Sequence, residues 1–183
     1  MQSGSIGGVS TVIQALVQKK PRKVAHLGIG FGFYGAAIRN WLDAGVRPYR
    51  TYLVGVERYR GYSGNQSPCW DLYDRIYEVE IEHWLHTEDQ AAERFDAILL
   101  IDVLDHYEFR AGRQLLLDLR SRLFPGGQII VATWAELTSE GPIKAIWHEA
   151  HLEELGFTIL TDGLKEHGSP GLRMVVGVYA KPN

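Results

Sequence analysis

Short apolar runs alternate along the chain with segments whose apolar residues recur every three to four positions. Apolar runs of four to eight residues are typical of buried strands, and the wider spacing is typical of amphipathic helices. The runs predict strands at residues 23–27, 51–56, 75–81, 95–101, 128–134, 157–160 and 173–180. The helical spacing predicts helices at 9–20, 37–44, 115–123 and 143–155, with shorter ones after Ser67 and Thr87.

The alternation of strands and helices predicts an α/β fold: a doubly wound, mostly parallel sheet of about seven strands with helices on both faces. The run 95–101 is the most apolar, which predicts a central strand buried on both sides. No helix separates the last two strands, so we expect an antiparallel hairpin at the C-terminal edge. Residues 1–183 are predicted to form a single domain, with the Gly- and Ser-rich residues 1–8 flexible.

Composition and charge narrow the function classes. The 183 residues are 45% hydrophobic and 22% charged, as in an ordinary globular domain, and their net charge of −3 argues against a basic nucleic-acid binder. We expect no membrane span, because no apolar run is long enough, and no signal peptide. The single cysteine, Cys69, excludes an internal disulfide and fits a reducing, cytoplasmic setting.

Residues 26–35, HLGIGFGFYG, follow the first predicted strand and contain glycines that fit two different cofactor loops. Gly28, Gly30 and Gly32 form the G-x-G-x-G pattern of a loop that wraps S-adenosylmethionine. Gly30, Gly32 and Gly35 form the G-x-G-x-x-G pattern of a dinucleotide-binding loop. Both loops need glycine because the backbone turns tightly and approaches the ligand without a Cβ between them.

Glu57 follows the second predicted strand, where a carboxylate can accept hydrogen bonds from both hydroxyl groups of a ribose. The chain between Gly28 and Glu57 is longer than the ~20 residues usual in dinucleotide-binding folds. A nicotinamide enzyme also needs a second mononucleotide-binding half and a substrate domain, for which the remaining sequence is too short. An NAD(P)-dependent oxidoreductase therefore stays as a less favoured alternative.

Two later segments carry a resemblance to a known family. Residues 95–106 read FDAILLIDVLDH, and LFPGG at residues 123–127 precedes the apolar run QIIVATW. In this order and spacing, the segments resemble the class I (Rossmann-like) S-adenosylmethionine-dependent methyltransferases, and the resemblance extends from Lys23 to the end of the sequence. In many relatives the first segment ends in DVLEH, so Asp105 is a conservative variant. The resemblance implies in-line methyl transfer, and the absence of a basic face favours a small-molecule acceptor.

The resemblance also implies a site for S-adenosylmethionine. The glycine loop would face its methionine part, Glu57 would hold the ribose, and Arg58 would lie beside the adenosine. Glu80, ending the third predicted strand, would lie near the adenine amino group, with Ile81 offering backbone and an apolar face. Asp102, just beyond the fourth strand, would lie between cofactor and acceptor. The implied cofactor-binding residues are Gly28, Ile29, Gly30, Gly32, Glu57, Arg58, Glu80, Ile81 and Asp102.

His26 departs from the family pattern, which has an acidic residue two positions before the first glycine of the loop. A carboxylate there helps to neutralise the cationic methionine end, whereas a protonated imidazole repels it. The departure supports another alternative, a non-catalytic subunit with a methyltransferase fold that binds a partner. If His26 lies near the cofactor, binding is expected to weaken as the pH falls through the imidazole pKa, about 6.5 when unperturbed.

His106 is the candidate catalytic residue, because it follows the fourth strand at the edge where ligands bind in open α/β sheets. An imidazole with a pKa near neutral suits the removal of a proton from a methyl acceptor. The pairs His83/His86 and His148/His151 are spaced i, i+3 and not i, i+4 as in helical zinc motifs, so we predict no metal site. The sequence leaves the oligomeric state open.

Overall fold

Strands and helices alternate in the computed structural model, which describes residues 8–59, 68–87, 92–134, 144–160 and 174–183. The strands are β1 (Lys23–Leu27), β2 (Tyr52–Val56), β3 (Arg75–Tyr77), β4 (Phe95–Ile101), β5 (Leu123–Trp134), β6 (Thr158–Ile159) and β7 (Met174–Ala180). The α-helices are α1 (Val9–Lys19), α2 (Phe33–Leu42), α3 (Ile81–His86), α4 (Phe109–Leu119) and α5 (Glu149–Glu153). Short 3-10 helices cover Pro68–Leu72, Leu104–His106 and Arg120–Arg122.

The strands form one seven-stranded sheet in the order β3-β2-β1-β4-β5-β7-β6. The first five strands are parallel, and β7 runs antiparallel to both β5 and β6. β4 is the central strand, and all its residues except the half-buried Asp96 are buried. These findings confirm the predicted sheet, with one refinement: β7 lies inside the sheet, and the two-residue β6 forms the edge.

Helices cover both faces of the sheet, as predicted. One face packs against α1 and α2, whose buried side chains include Leu16 and Ile38. The other face packs against α3, α4 and α5. Neighbouring residues such as Val24 and Ala25 belong to opposite clusters because successive side chains of a strand point to opposite faces. Each apolar run therefore supplies side chains to both hydrophobic clusters, one on each face of the sheet.

The described helices are short. The longest, α1 and α4, have 11 residues each, and no described helix is long and apolar enough to cross a membrane. α1 ends where Lys20 takes a left-handed conformation (φ 49°) and donates its N–H to the carbonyl of Leu16, 2.9 Å away. The flexibility expected for residues 1–8 concerns residues that, apart from Gly8, lie outside the described part of the chain.

The region after β3 differs from its prediction. β3 ends at Tyr77, so Glu80 does not end a strand but is the N-cap residue of α3. Thr87 is the C-cap residue of α3, and its hydroxyl donates to the carbonyl of His83 over 2.7 Å. The short helix predicted after Thr87 would begin at residue 88, outside the described residues, so it stays a prediction.

The helix predicted at residues 143–155 is also shorter, because only Glu149–Glu153 are helical. The preceding residues are committed to other partners. The N–H of Lys144 donates to the carbonyl of Asp105 over 2.7 Å, and the indole of Trp147 donates to the carbonyl of Leu104 over 3.1 Å. These hydrogen bonds hold residues 144–148 against the 3-10 helix after β4, where they do not adopt a helical conformation.

Candidate cofactor site

The glycine loop joins β1 to α2 through left-handed backbone conformations. Gly28, Gly30 and Gly32 have φ values of 72°, 51° and 80°, which explains why glycine occupies all three positions. The N–H groups of Gly28 and Ile29 donate to the carbonyl of Val56, at 2.8 and 3.3 Å. Gly32 is the N-cap residue of α2. The loop is thus bound to the end of β2 before it enters the helix.

The surroundings of the three glycines differ. A Cβ on Gly28 would lie 2.5 Å from the Cγ2 of Val103, and one on Gly32 would lie 3.0 Å from the Cβ of Cys69. A Cβ on Gly30 would meet no atom of the described residues within 4 Å. Packing within the protein therefore explains the small residue at the first and third positions, whereas Gly30 borders open space that a ligand could approach.

Glu57 directly follows β2 and is buried, with 8% of its surface exposed. Its Oε2 accepts the N–H of Gly30 and its Oε1 accepts the N–H of Tyr59, both at 2.9 Å. A carboxylate has about four acceptor positions, so it keeps the capacity for further hydrogen bonds. The strand-end position agrees with the sequence, but the burial and the direct bond to the glycine loop were not predicted.

Gly35 is accounted for by packing. A Cβ at this position would lie 2.6 Å from the ring of Tyr73 and 2.9 Å from its hydroxyl oxygen. The small residue is therefore needed where the tyrosine ring meets α2. This contact explains the third glycine of the G-x-G-x-x-G pattern without a dinucleotide.

Arg58 and Glu80 come together at the outer end of the candidate site. Arg58 Nη1 lies 3.3 Å from Glu80 Oε1, and the two side chains are 66% and 55% exposed. Ile81, the first residue of α3, is buried in the core beside them. The structure thus brings together the three residues that the resemblance assigned to the adenosine side.

The segment after β4 carries polar groups at the carboxyl edge of the sheet. Asp102 has a left-handed backbone (φ 54°), and its N–H donates to the carbonyl of Ala132 over 2.9 Å. Asp105 is buried, and one of its carboxylate oxygens has no hydrogen-bond partner among the described residues. Burial raises the pKa of the Asp105 carboxyl, against a smaller opposing effect of His106. His106 is half-buried in the same 3-10 helix.

His26 lies in the core and not at the surface of the site. It is 2% exposed, and its Nδ1 lies 2.8 Å from the hydroxyl oxygen of Tyr73. Burial lowers its pKa to about 3, so the imidazole stays neutral at ordinary pH. The expectation that its protonation weakens ligand binding near pH 6.5 is therefore wrong.

Sequence reasoning missed Trp70 and Tyr73, which lie between β2 and β3. The indole N–H of Trp70 donates to the carbonyl of Gly30 over 2.8 Å, and Tyr73 packs against Gly35 and reaches His26. The available signal was a pair of aromatic residues three positions apart after a proline. The partners are too distant along the chain for that signal to identify them.

The histidine pairs have structural surroundings. His148 is the N-cap residue of α5, and its N–H donates to Nδ1 of His151 over 3.2 Å. His83 and His86 lie in the last turn of α3. Among the described residues, no three His, Cys, Asp or Glu side chains are grouped so that they could hold a metal ion.

Several solved structures share this architecture. The N-methyltransferase NodS from Bradyrhizobium japonicum WM9 has a TM-score of 0.67 and 15% identity, over 95% of this chain and 96% of its own. The 1,6-didemethyltoxoflavin-N1-methyltransferase from Burkholderia thailandensis, solved with 1,6-didemethyltoxoflavin and S-adenosylhomocysteine bound, has a TM-score of 0.68 and 18% identity, over 96% and 77%. TehB from Haemophilus influenzae has a TM-score of 0.68 and 14% identity, over 95% and 62%.

These similarities are in the fold and not in the sequence. No protein-family model matches the chain, and no curated protein matches it significantly. Identities of 14% to 18% establish a common architecture. What the site does has to be argued from the residues themselves.

Proposed function

On the premise that this chain has the fold of the class I (Rossmann-like) S-adenosylmethionine-dependent methyltransferases, we propose that it binds S-adenosylmethionine and transfers its methyl group to a small-molecule acceptor. The observation that supports this most directly is the hydrogen bond from the Gly30 N–H to Glu57 Oε2. It places the open side of the glycine loop and a strand-end carboxylate within one hydrogen bond of each other. A ligand with a ribose and a short charged chain needs both features side by side.

The strand order favours this cofactor over a nicotinamide. A dinucleotide-binding sheet has six parallel strands in the order 3-2-1-4-5-6, in two mononucleotide-binding halves. Here the parallel part ends at β5, because β7 pairs with β5 in antiparallel orientation. The second half is not built among the described residues, and Gly35 is explained by its contact with Tyr73.

The residues present fit the proposed cofactor. Gly30 leaves space at its α-carbon, Glu57 retains acceptor capacity, and Arg58, Glu80 and Ile81 form a partly charged, partly apolar border. When bound, S-adenosylmethionine supplies a methyl group on a positively charged sulfur. The loop backbone orients the ligand, and Glu57 fixes the ribose by accepting its hydroxyl protons in hydrogen bonds.

Asp102 and His106 are the groups we assign to the acceptor side. Both follow β4, at the carboxyl edge where ligands of open α/β sheets bind. Asp102 is held in a left-handed conformation, which aspartate tolerates better than most residues and which directs its side chain differently from a regular strand residue. A ring nitrogen of His106 is proposed to take the proton that the acceptor loses when it is methylated.

A small acceptor is the better proposal on charge grounds. The net charge of −3 offers no general attraction for nucleic-acid phosphates, whose binding depends on lysine and arginine contacts. The single cysteine also supports our proposal of a cytoplasmic location.

A non-catalytic binding subunit remains the second candidate, and His26 is the observation that favours it. The acidic residue that the family has at this position is replaced by a neutral side chain inside the core. A cationic ligand therefore finds no carboxylate there. Glu57 and Asp102 are the acidic groups closest in sequence to the neighbouring strand ends and would have to supply the compensating charge.

Isothermal titration with S-adenosylmethionine, S-adenosylhomocysteine and NAD separates the candidates. We expect one molecule of either S-adenosyl compound per chain and no heat from NAD. At a hundredfold excess over its dissociation constant, S-adenosylhomocysteine should stabilise the folded chain by ~2.7 kcal/mol. Binding of neither S-adenosyl compound at millimolar concentration would support the non-catalytic subunit, and binding of NAD alone would support the oxidoreductase.

A further inference from the structure

Residues 68–74 contact the glycine loop through Cys69 and Trp70. The indole N–H of Trp70 donates to the carbonyl of Gly30 over 2.8 Å. Cys69 approaches Gly32 so closely that a Cβ there would lie 3.3 Å from the Cys69 carbonyl oxygen. Trp70 is buried, with 8% of its surface exposed. The two backbone polar groups of Gly30 are therefore both used, its N–H by Glu57 and its carbonyl by Trp70.

Tyr73 fixes the same segment to the strands beneath the loop. Its ring approaches Gly35 of α2 and Gly55 of β2, where an added Cβ would lie 2.6 and 3.0 Å from ring atoms. Its hydroxyl lies 2.8 Å from Nδ1 of His26 in β1. The phenol ring of Tyr73 thus packs against two glycines and one buried imidazole, and these contacts fix the position of the segment on the sheet.

Arg39 and Asp74 anchor the far end of the segment. Arg39 Nε donates to the carbonyl of Leu72 and its Nη2 to Asp74 Oδ2, both over 2.7 Å. The same carboxylate oxygen accepts the N–H of Leu53 in β2 over 2.7 Å. Arg39 is almost fully buried, whereas the Asp74 side chain is 32% exposed, so these bonds are only partly shielded from water. Residues 68–74 are thus attached to both elements that flank the glycine loop.

We propose that Trp70 is a positioning residue of the cofactor loop, which fixes the Gly30 peptide before the ligand arrives. The proposal rests on the proposed function, since it assigns Trp70 a role in binding an S-adenosyl compound. Because the Gly30 carbonyl is bonded to the indole and the Gly30 N–H to Glu57, the peptide groups on both sides of the Gly30 α-carbon are held in the free protein. A loop that is already ordered loses less conformational entropy when it binds a ligand.

The test compares Trp70→Phe with Trp147→Phe. Each change keeps an aromatic ring and removes one buried indole-to-carbonyl hydrogen bond, to Gly30 in the first case and to Leu104 in the second. Both variants should melt at lower temperature than the parent chain. Only Trp70→Phe should weaken S-adenosylhomocysteine binding, by about three- to tenfold, the range expected for one neutral hydrogen bond.

The outcomes separate this proposal from the proposed function. Equal affinities of the parent chain and Trp70→Phe for S-adenosylhomocysteine would overturn the role of Trp70 and leave the methyltransferase proposal standing. No binding by the parent chain would overturn the proposed function and with it the assignment of Trp70 to an S-adenosyl compound.

Hydrogen exchange of the parent chain tests the same point if Trp70→Phe does not fold. The proposal expects the Trp70 indole N–H, which donates to the Gly30 carbonyl, to exchange slowly without ligand and to change little when S-adenosylhomocysteine is added. Fast exchange that becomes slow only with the ligand would show that the loop is not fixed in advance.

Discussion

The two sides of the candidate site are built differently. On the loop side, the backbone groups of Gly30 and both oxygens of Glu57 have partners within the protein. On the side after β4, a carboxylate oxygen of the buried Asp105 has no partner in the part of the chain that the structure describes, and Asp102 holds a left-handed backbone conformation. The two sides touch where Gly28 faces Val103.

The difference is the one expected if the two sides have different roles, one in binding the cofactor and one in the chemical step. A fully bonded loop suits a ligand that is the same in every turnover, because a fixed geometry binds it at low entropic cost. A buried acceptor oxygen without a partner costs ~1–3 kcal/mol and is kept where some other requirement opposes stability. Under the proposed function, the loop side would bind the cofactor and the side after β4 would carry the chemistry.

The largest effect is expected where the two sides touch. Gly28→Ala places a Cβ 2.5 Å from Val103 Cγ2 at a φ of 72°, which combines a clash with backbone strain. The two penalties should lower the free energy of unfolding by about 2–4 kcal/mol. Gly30→Ala, where space is free, should lose only the strain of about 1–2 kcal/mol.

Chemical denaturation measures the free energy of unfolding of both variants. A double-mutant cycle with Val103→Ala shows how much of the loss in Gly28→Ala comes from the clash with Val103. If the clash is responsible, the Gly28→Ala and Val103→Ala changes together should cost less than the sum of the two separately. Equal destabilisation by Gly28→Ala and Gly30→Ala would mean that the two sides are not in contact at Val103.

Glu57→Gln should have the next largest effect, because an amide keeps one acceptor oxygen and turns a donor toward a backbone N–H. Either Gly30 or Tyr59 then loses its partner. Hydrogen bonds to charged groups contribute ~1.5–3 kcal/mol, so S-adenosylhomocysteine affinity should fall roughly ten- to a hundredfold. Because Glu57 is buried, the melting temperature without ligand should fall as well.

Glu93→Gln provides the matched control for that loss. Glu93 is a partly buried carboxylate whose Oε1 lies 2.8 Å from Nζ of Lys23, at the start of β1 and therefore at the opposite edge of the sheet. It should lower stability without changing calorimetric affinity for S-adenosylhomocysteine. Full affinity in Glu57→Gln would show that the cofactor does not bind at the end of β2.

Asp105→Asn should stabilise the chain by about 1 kcal/mol at neutral pH, since it removes a buried carboxylate of which one oxygen has no hydrogen-bond partner among the described residues. Burial raises the pKa of this carboxyl in the folded state, so the folded chain binds its proton more readily than the unfolded chain. The stability of the parent chain therefore decreases as the pH rises from the unfolded pKa of about 3.9 through the higher folded pKa. Urea denaturation should show the gain at pH 7 and its disappearance below pH 4, and a variant less stable at pH 7 would contradict this.

The smallest effect is expected at His26. Its pKa is lowered to about 3 by burial, so its ring resonances should not titrate in NMR spectra between pH 5 and 8. Protonation should appear only as the fold itself weakens in acid, because the unfolded imidazole binds a proton near pH 6.5. A midpoint near 6.5 in the folded chain would place His26 at the solvated surface of the site.

The sequence predicts those features that depend on neighbouring residues, such as strand boundaries and the loops that follow the strands. The strands 23–27 and 95–101 were predicted at their observed boundaries, because apolar runs of that length between turns have few other solutions. The glycine loop and Glu57 were located for the same reason, since each follows directly from a strand end. Glu80 was misplaced because a run rich in β-formers extended past the three residues that pair with β2.

Long-range partners could not be predicted. Tyr73 and His26 are 47 residues apart, and nothing in either neighbourhood identifies the other. The same holds for Trp70 and Gly30, 40 residues apart. The helix at 143–155 was overestimated because Leu104 and Asp105 bind residues that have helical spacing. Tertiary hydrogen bonds outweighed local propensity at each of these positions.

The inner position of β7 has a consequence for synthesis of the chain. All five parallel strands, and every residue proposed for the site, have been made once residue 134 has been added. Until residues 174–180 follow, β5 presents an unpaired edge with the apolar residues Ile129, Ile130 and Val131. At ~5–20 residues per second this edge is open for a few seconds on the ribosome. A nascent chain at this stage is most exposed to pairing with other strands, and slow synthesis between residues 135 and 180 should lower the soluble yield.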